Sequence, residues 1–251
     1  MKALITGASS GIGMELAKAL AKKEYDLVIV ARSIDKLEVL KEEILKESKV
    51  NIDVIQMDLS IEDNCKNLYE RYKNQIDLLI NNAGFGTYGK FDETDLDTEL
   101  RLINTNISAV HILSKLFLQD MKARNDGQIL NVASIAGFLP GPLMAAYYAS
   151  KSYVVRLSQA IREELREDKS KVKISVLCPG PVNTNFNKVA KVKFTNKPLS
   201  TEYVVKYTVK KLEKNKFYII PGAPIRALRH VCKIVPDMTM AKMVLGIKKG
   251  D

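Results

Sequence analysis

The chain has 251 residues, 46% of them apolar, which is enough to bury one sizeable core; α/β chains of this size often form a single domain. Its formal charge is +10, but the Lys and Arg residues are scattered and form no zinc finger or aromatic-interleaved basic stripe, which argues against a nucleic-acid partner and for a basic solvated surface. Three distant cysteines (Cys65, Cys178, Cys232) and two isolated histidines (His111, His230) offer no disulfide framework or metal site, and no apolar run resembles a signal peptide or membrane span, so a reduced, cytoplasmic chain is expected.

The first apolar run, KALITG, reads as a strand and leads directly into TGASSGIG, from Thr6 to Gly13. Gly7 permits a tight turn, Gly11 lets backbone approach a pyrophosphate, and Gly13 allows close packing of helix on sheet. The amphipathic stretch MELAKALAKKEY follows, and the helix N-terminus offers free N–H groups to phosphate. An ordinary glycine-rich turn has the same composition, but a strand before and a helix after favour a dinucleotide site. The second run, YDLVIVA, ends in Ala31, Arg32 and Ser33. Ala31 takes the slot where NAD binders usually carry an acid, and a guanidinium next to it suits a 2′-phosphate. NADP(H) is therefore expected as the preferred cofactor, with NAD(H) as the alternative.

Five more short runs follow: IDVIQMD, IDLLINNA, GQILNVAS, VKISVLCPG and KFYIIPG. Each is partly β-branched and closed by a small, polar or turn residue, as expected of strands buried on both faces. With helical stretches between them, the runs predict a Rossmann-type α/β fold, a doubly wound parallel sheet of about seven strands with helices on both faces. Residues 185–200, NFNKVAKVKFTNKPLS, have weak periodicity and read as a substrate lid. AVHILSKLFLQDM is apolar on more than one face, so part of it needs cover beyond its own sheet. The stretch AAYYASKS sets two tyrosines beside a lysine; on a helix, Tyr147 shares a face with Lys151 and Tyr148 with Ser152.

In order, TGASSGIG (6–13), NNAG (81–84), Asn106, Ser134, YYASK (147–151) and PGPVNT (179–184) resemble the classical short-chain dehydrogenase/reductase family over residues 1 to about 185. The family pattern Tyr-x-x-x-Lys selects Tyr147 over Tyr148. The resemblance implies an oxidoreductase that interconverts a carbonyl and a secondary alcohol. Tyr147 is then the general acid or base, assisted by Lys151, whose ammonium is expected to lower the phenol pKa and to hold the nicotinamide ribose. Ser134 donates to the substrate oxygen. Asn106, favoured over Asn104, supports a water-linked proton relay. Matching by position adds Ser9, Ser10 and Ile12 around the pyrophosphate; Ser10 stands where many NADP-preferring relatives carry a basic residue. Asp58 and Leu59 match the adenine side, although Asp58 also suits a turn or helix cap. Asn82, Ala83 and Gly84 line the nucleotide, while Pro179, Gly180, Val182 and Thr184 face the carboxamide. A homodimer or homotetramer through segments 97–124 and 146–169 is also implied.

Apolar residues beside these motifs, Phe138, Met144 and Phe186 among them, suggest a hydrophobic carbonyl or alcohol substrate. A 3-oxoacyl-thioester or lipid/steroid reductase at a membrane surface is the nearby alternative, and a non-catalytic dinucleotide sensor the alternative of another class. Residues 223–251 form a C-terminal helical extension with six Lys or Arg against two Asp. Interleaved Ile225, Leu228, Val231 and Ile234 allow a basic amphipathic helix and peripheral membrane contact. A packing or subunit-interface role is favoured, because Pro236 and Gly246 are expected to break the run.

Overall fold

The computed structural model of the chain describes residues 1–184, 186 and 198–249. The sheet has seven strands: β1 (Lys2–Thr6), β2 (Asp26–Ala31), β3 (Ile52–Gln56), β4 (Leu78–Asn81), β5 (Gln128–Val132), β6 (Lys173–Leu177) and β7 (Tyr218–Ile219). All pairings are parallel, in the order β3-β2-β1-β4-β5-β6-β7. All seven apolar runs thus become strands. Strand order reverses between β1 and β4, and a crevice opens there at the strands' carboxyl ends, where open α/β sheets take ligands.

Period-two alternation divides the strand side chains between two cores. Leu4, Val28, Leu79 and Ile129 point to one face, which is covered by α3 (Glu62–Tyr72), α5 (Ala109–Arg124) and α6 (Ala145–Glu167). Ala3, Ile5, Ile29, Ile80 and Leu130 point to the other, covered by α1 (Gly11–Ala21), α2 (Ile34–Leu45) and α7 (Thr201–Leu212). Both faces of the inner strands are covered, which is why those strands read as continuous apolar runs, whereas the edge strand β3 exposes Asp53 and Gln56. The short helix α4 (Leu96–Ile103) is capped by Asp95, which accepts from Thr98 N at 2.8 Å.

A buried polar chain locks α5 and α6 onto the sheet. Asn81 Nδ2 on β4 donates to Ser114 Oγ on α5 (3.0 Å) and to Asn131 Oδ1 on β5 (2.9 Å). Asn131 Nδ2 donates to Ser158 Oγ on α6 at 3.0 Å. Each bond satisfies a group that would be costly to bury alone.

The C-terminal segment forms α8 (Ala223–Val231) and α9 (Asp237–Lys249), separated at Pro236 as expected. Gly246 does not break the second helix. It lies inside α9, which is anchored by buried Met240 and Val244; their packing outweighs the ~1 kcal/mol that a glycine costs a helix interior. No helix among the described residues is long and apolar enough to cross a membrane.

Candidate active site

The turn after β1 is cross-linked to the end of β4. Thr6 Oγ1 accepts from Asn82 N (2.9 Å) and Ala83 N (3.0 Å), while Asn82 Nδ2 donates to the Thr6 and Gly7 carbonyls. Gly7 has φ 65°, and a Cβ there would come within 2.8 Å of Ala83 Cα. A Cβ on Gly13 would stand 2.4 Å from Asn82 Nδ2 and 2.5 Å from Gly7 O, so Gly13 serves the packing of α1 and does not line the cleft. Ser9, Ser10, Gly11 and Ile12 do line it. The Ser10 side chain makes no cap bond to α1, so the helix's first N–H groups face the cleft. A backbone cradle at a helix N-terminus fits a dinucleotide pyrophosphate.

At one end of this cleft of about 590 Å³ lie Ala31, Arg32, Ser33, Asp58 and Leu59. Arg32 is exposed and in no ion pair among the described residues. Burial works to raise the Asp58 pKa, but N–H and O–H bonds from Ser60 and the charge of Arg32 outweigh it and hold the carboxyl below its usual value. Asp58 Oδ1 is the acceptor of both Ser60 bonds, at 2.9 and 2.8 Å, so the turn role weighed for this residue is present alongside its place on the cleft wall.

At the other end stand Ser134, Tyr147 and Lys151. Ser134 caps the single turn Ile135–Phe138 by accepting from Ala136 N at 3.1 Å, and its hydroxyl donates to the Pro179 carbonyl at 3.5 Å. Tyr147 and Lys151 sit one turn apart on α6, both buried. Lys151 Nζ donates to the Val132 carbonyl at 2.9 Å and lies 5.8 Å from the Tyr147 ring centroid. Asn106 is wholly buried in a π-helical turn, Asn104–Ser108, between α4 and α5. That extra residue per turn re-aims side chains, a common device at functional sites. Asn106 clamps Phe85 by accepting from its N (3.1 Å) and donating to its O (2.9 Å), and also donates to Ser150 Oγ. It stands behind the cleft wall, whereas Asn104 is only half-buried and makes no comparable clamp.

The expected lowering of the Tyr147 pKa by Lys151 is not found. Burial dominates and pushes the phenol well above its usual value, with the Ser134 hydroxyl a partial counterweight. The same burial lowers Lys151 to about 8, with Cys178 opposing it. The ammonium is spent on Val132 O and does not reach the phenol oxygen. The result is a phenol held protonated, able to give a proton to a carbonyl oxygen in the cleft.

Asn82, Ala83, Gly84, Pro179, Gly180, Val182 and Thr184 line the middle of the cleft. Of the three substrate candidates, Met144 and Phe186 line it, the Phe186 ring 5.1 Å from that of Tyr147. Phe138 does not. Its ring packs on Tyr218 (6.1 Å) under Arg229 and belongs to the sheet core, because the turn after Ser134 rotates it away. The rest of the lid, residues 185 and 187–197, lies outside the described residues. The C-terminal helices, read from the sequence as packing or interface elements, pack over the cleft: Ile225, Leu228 and Val231 from α8, and Met240, Val244 and Lys248 from α9, wall it. Their helical spacing was visible in the sequence, but nothing local said which surface they would cover.

A family model described as short chain dehydrogenase matches residues 1–193. The chain belongs to the short-chain dehydrogenase family. It is an oxidoreductase of the CH–OH/C=O couple. It is 36% identical to the human very-long-chain 3-oxoacyl-CoA reductase, over 99% of this chain and 80% of that one. It is 33% identical to the rat 17-beta-hydroxysteroid dehydrogenase type 3, over 88% of this chain and 70% of that one. Among solved structures, a Sphingobium yanoikuyae short-chain dehydrogenase in complex with NADPH superposes with a TM-score of 0.85 at 28% identity, over 92% of each chain.

The lowered Lys151 pKa makes a signed prediction for this enzyme. The protonated side chain is the form that favours a bound, anionic dinucleotide. Cofactor affinity should therefore be highest below pH 8 and weaken as pH rises through about 8. Fluorescence titration of NADPH across that range reads the effect. The slope should vanish in Lys151→Met; a flat wild-type profile would show that the ammonium does not matter to binding.

Proposed function

We propose that the protein is an NADP(H)-dependent reductase of hydrophobic carbonyl compounds. The observation that carries this reading is one continuous cleft with a glycine cradle in its middle, Arg32, which forms no ion pair among the described residues, at one end, and half-buried Ser134 with buried Tyr147 and Lys151 at the other. In this reading Gly7, Gly11, Ser9 and the α1 N-terminus hold the pyrophosphate, Arg32 and Ser33 the 2′-phosphate, and Asp58 and Leu59 the adenine. Asn82, Ala83, Gly84 and the 179–184 loop hold the nicotinamide side. The bound nicotinamide supplies the hydride. Tyr147 protonates the carbonyl oxygen, Ser134 donates a second hydrogen bond to it, and Lys151 holds the ribose. Asn106 keeps the Phe85 backbone, and so the substrate side of the cleft, in register.

The substrate end is walled by Phe85, Leu139, Met144 and the apolar residues of α8 and α9, which supports a bulky apolar substrate. The names of the relatives, an acyl-thioester reductase and a hydroxysteroid dehydrogenase, are consistent with that class. The free cysteines Cys65, Cys178 and Cys232 suit the reducing cytoplasm. We also infer a homo-oligomer: Leu96, Leu100 and Ile103 form an exposed apolar stripe on α4, at the start of the first segment named for subunit pairing. Charged surface would be the norm for such a helix in a monomer.

Tyr147→Phe decides between an enzyme and a dinucleotide sensor. It should bind NADPH with near-normal affinity and lose turnover by two or more orders of magnitude, typical of removing a general acid; full activity would remove the mechanism. Arg32→Ala should lower the NADPH-over-NADH preference in kcat/KM roughly tenfold to a hundredfold, the worth of one charge-assisted bond. An unchanged ratio would mean that another group reads the phosphate. Light scattering at micromolar concentration should give a multiple of 28.1 kDa for the wild type and a smaller mass for Leu100→Asp. A monomeric wild type would contradict the oligomer.

A further inference from the structure

One charged side chain faces the apolar half of the cleft and has no part in the chemistry above. Lys248, the penultimate residue of the last helix, lies on α9 and lines the cleft beside Val244 and Ile247. Its Nζ sits over the Tyr148 ring, 4.1 Å from the centroid, and donates to the Pro142 carbonyl at 2.9 Å. Tyr148 in turn stands edge-on to Tyr147, with ring centroids 6.0 Å apart. The ammonium is therefore one aromatic ring away from the proton donor. Among the described residues it pairs with no carboxylate.

Lysines at a helix end ordinarily extend to water and keep the charge solvated. Lys248 does the reverse. Its backbone carbonyl accepts from Tyr88 Oη at 3.4 Å, and its side chain runs inward to Tyr148 and Pro142. Desolvation lowers its pKa to about 8, and among the described residues no acidic group offsets the loss of water. A cation kept in an apolar cleft by one neutral carbonyl and one aromatic face is poised to exchange them for an anion, because a charge-assisted bond is about twice as strong as a neutral one.

We propose that Lys248 is a specificity-determining residue that binds a carboxylate on the substrate, tethered to the reacting carbonyl by a short apolar spacer. This rests on the reading that Tyr147 protonates that carbonyl. The spacer is set by the protein: carbonyl at Tyr147, hydrocarbon across the Tyr148 ring and Met144, carboxylate at Lys248. The substrate class is thus an oxo acid or hydroxy acid with an apolar middle.

The test compares a homologous series of methyl-ketone carboxylates with their methyl esters, using NADPH and the full chain. At the best spacer length the wild type should favour acid over ester by at least tenfold in kcat/KM, the scale of one charge-assisted bond. In Lys248→Met that ratio should fall to near one, mainly through a higher KM for the acid; Lys248→Arg should retain most of it. Because the ratio is taken within each variant, a general loss of stability cancels. An acid-to-ester ratio near one in the wild type at every spacer length, or a preference that survives in Lys248→Met, would overturn the proposal. Calorimetric binding of the same acids to the enzyme–NADPH complex separates this from the reading it rests on. Carboxylates that bind in a Lys248-dependent way without being reduced would support the anion site and sink the reductase reading. Acids and esters reduced equally well would do the opposite.

Discussion

The junction between β1 and β4 is the constraint on which the rest of the structure depends. Two strands separated by more than seventy residues of chain end side by side, and four hydrogen bonds involving Thr6 and Asn82 tie their ends together. The approach is so close that a methyl group at Gly7 or Gly13 would collide with Ala83 or Asn82. Because strand order reverses here, the helices that follow β1 and β4 lie on opposite faces and leave a crevice between them. Loosening this junction would widen the cradle at Ser9–Gly11 and shift Gly84 against Asn106, 2.9 Å from a Cβ placed there. Fold and cofactor site are in that sense one set of contacts.

The Tyr147–Lys151 end of the cleft shows how burial overrides a simple charge argument. A lysine one turn from a tyrosine would depress the phenol pKa if both reached the same oxygen. Here both side chains are almost wholly out of water, and the lysine bonds a main-chain carbonyl of β5. Desolvation then acts on each group separately, raising the phenol and lowering the ammonium, and keeps both nearer to neutrality. The phenol therefore carries its proton at neutral pH, the protonation state that a donor to a carbonyl requires.

Three layers of support converge on α6. The Asn81–Asn131–Ser158 chain fixes it against the sheet, Asn106 reaches Ser150 from the π-helical turn, and Ser152 donates to the Gly137 carbonyl at 3.2 Å. A Cβ on Gly137 would stand 2.7 Å from the Lys151 carbonyl, so helix and turn are in direct backbone contact. Such over-determination holds reacting groups in place without mobile side chains. The substrate end is built differently. Its walls come from α8 and α9, and the same segment exposes Ile234, between the two helices, and Met238 on α9. One half of the cleft is rigid core, the other a thin apolar wall.

Local chemistry made much of this legible in advance. Short β-branched runs become strands because both faces are covered, and the glycines of TGASSGIG are required wherever backbone must pack on backbone, whatever surrounds them. Arg32 could be named from its place at a strand end, and Tyr147, Lys151 and Ser134 from their match to the family's motifs. Other residues depended on how distant segments meet. Phe138 belongs to a core because of a single turn's rotation, and Asn106 works from behind the wall because a π-helical turn aims it there. The direction of the Tyr147 pKa depended on burial, a property of the packed molecule that no spacing encodes. The tail is the clearest case. Its amphipathic period was plain, but period says only that a helix has an apolar face; that this face and Lys248 close over the Tyr147 end was decided by tertiary packing alone, since the residues that receive it lie about a hundred positions away in the chain.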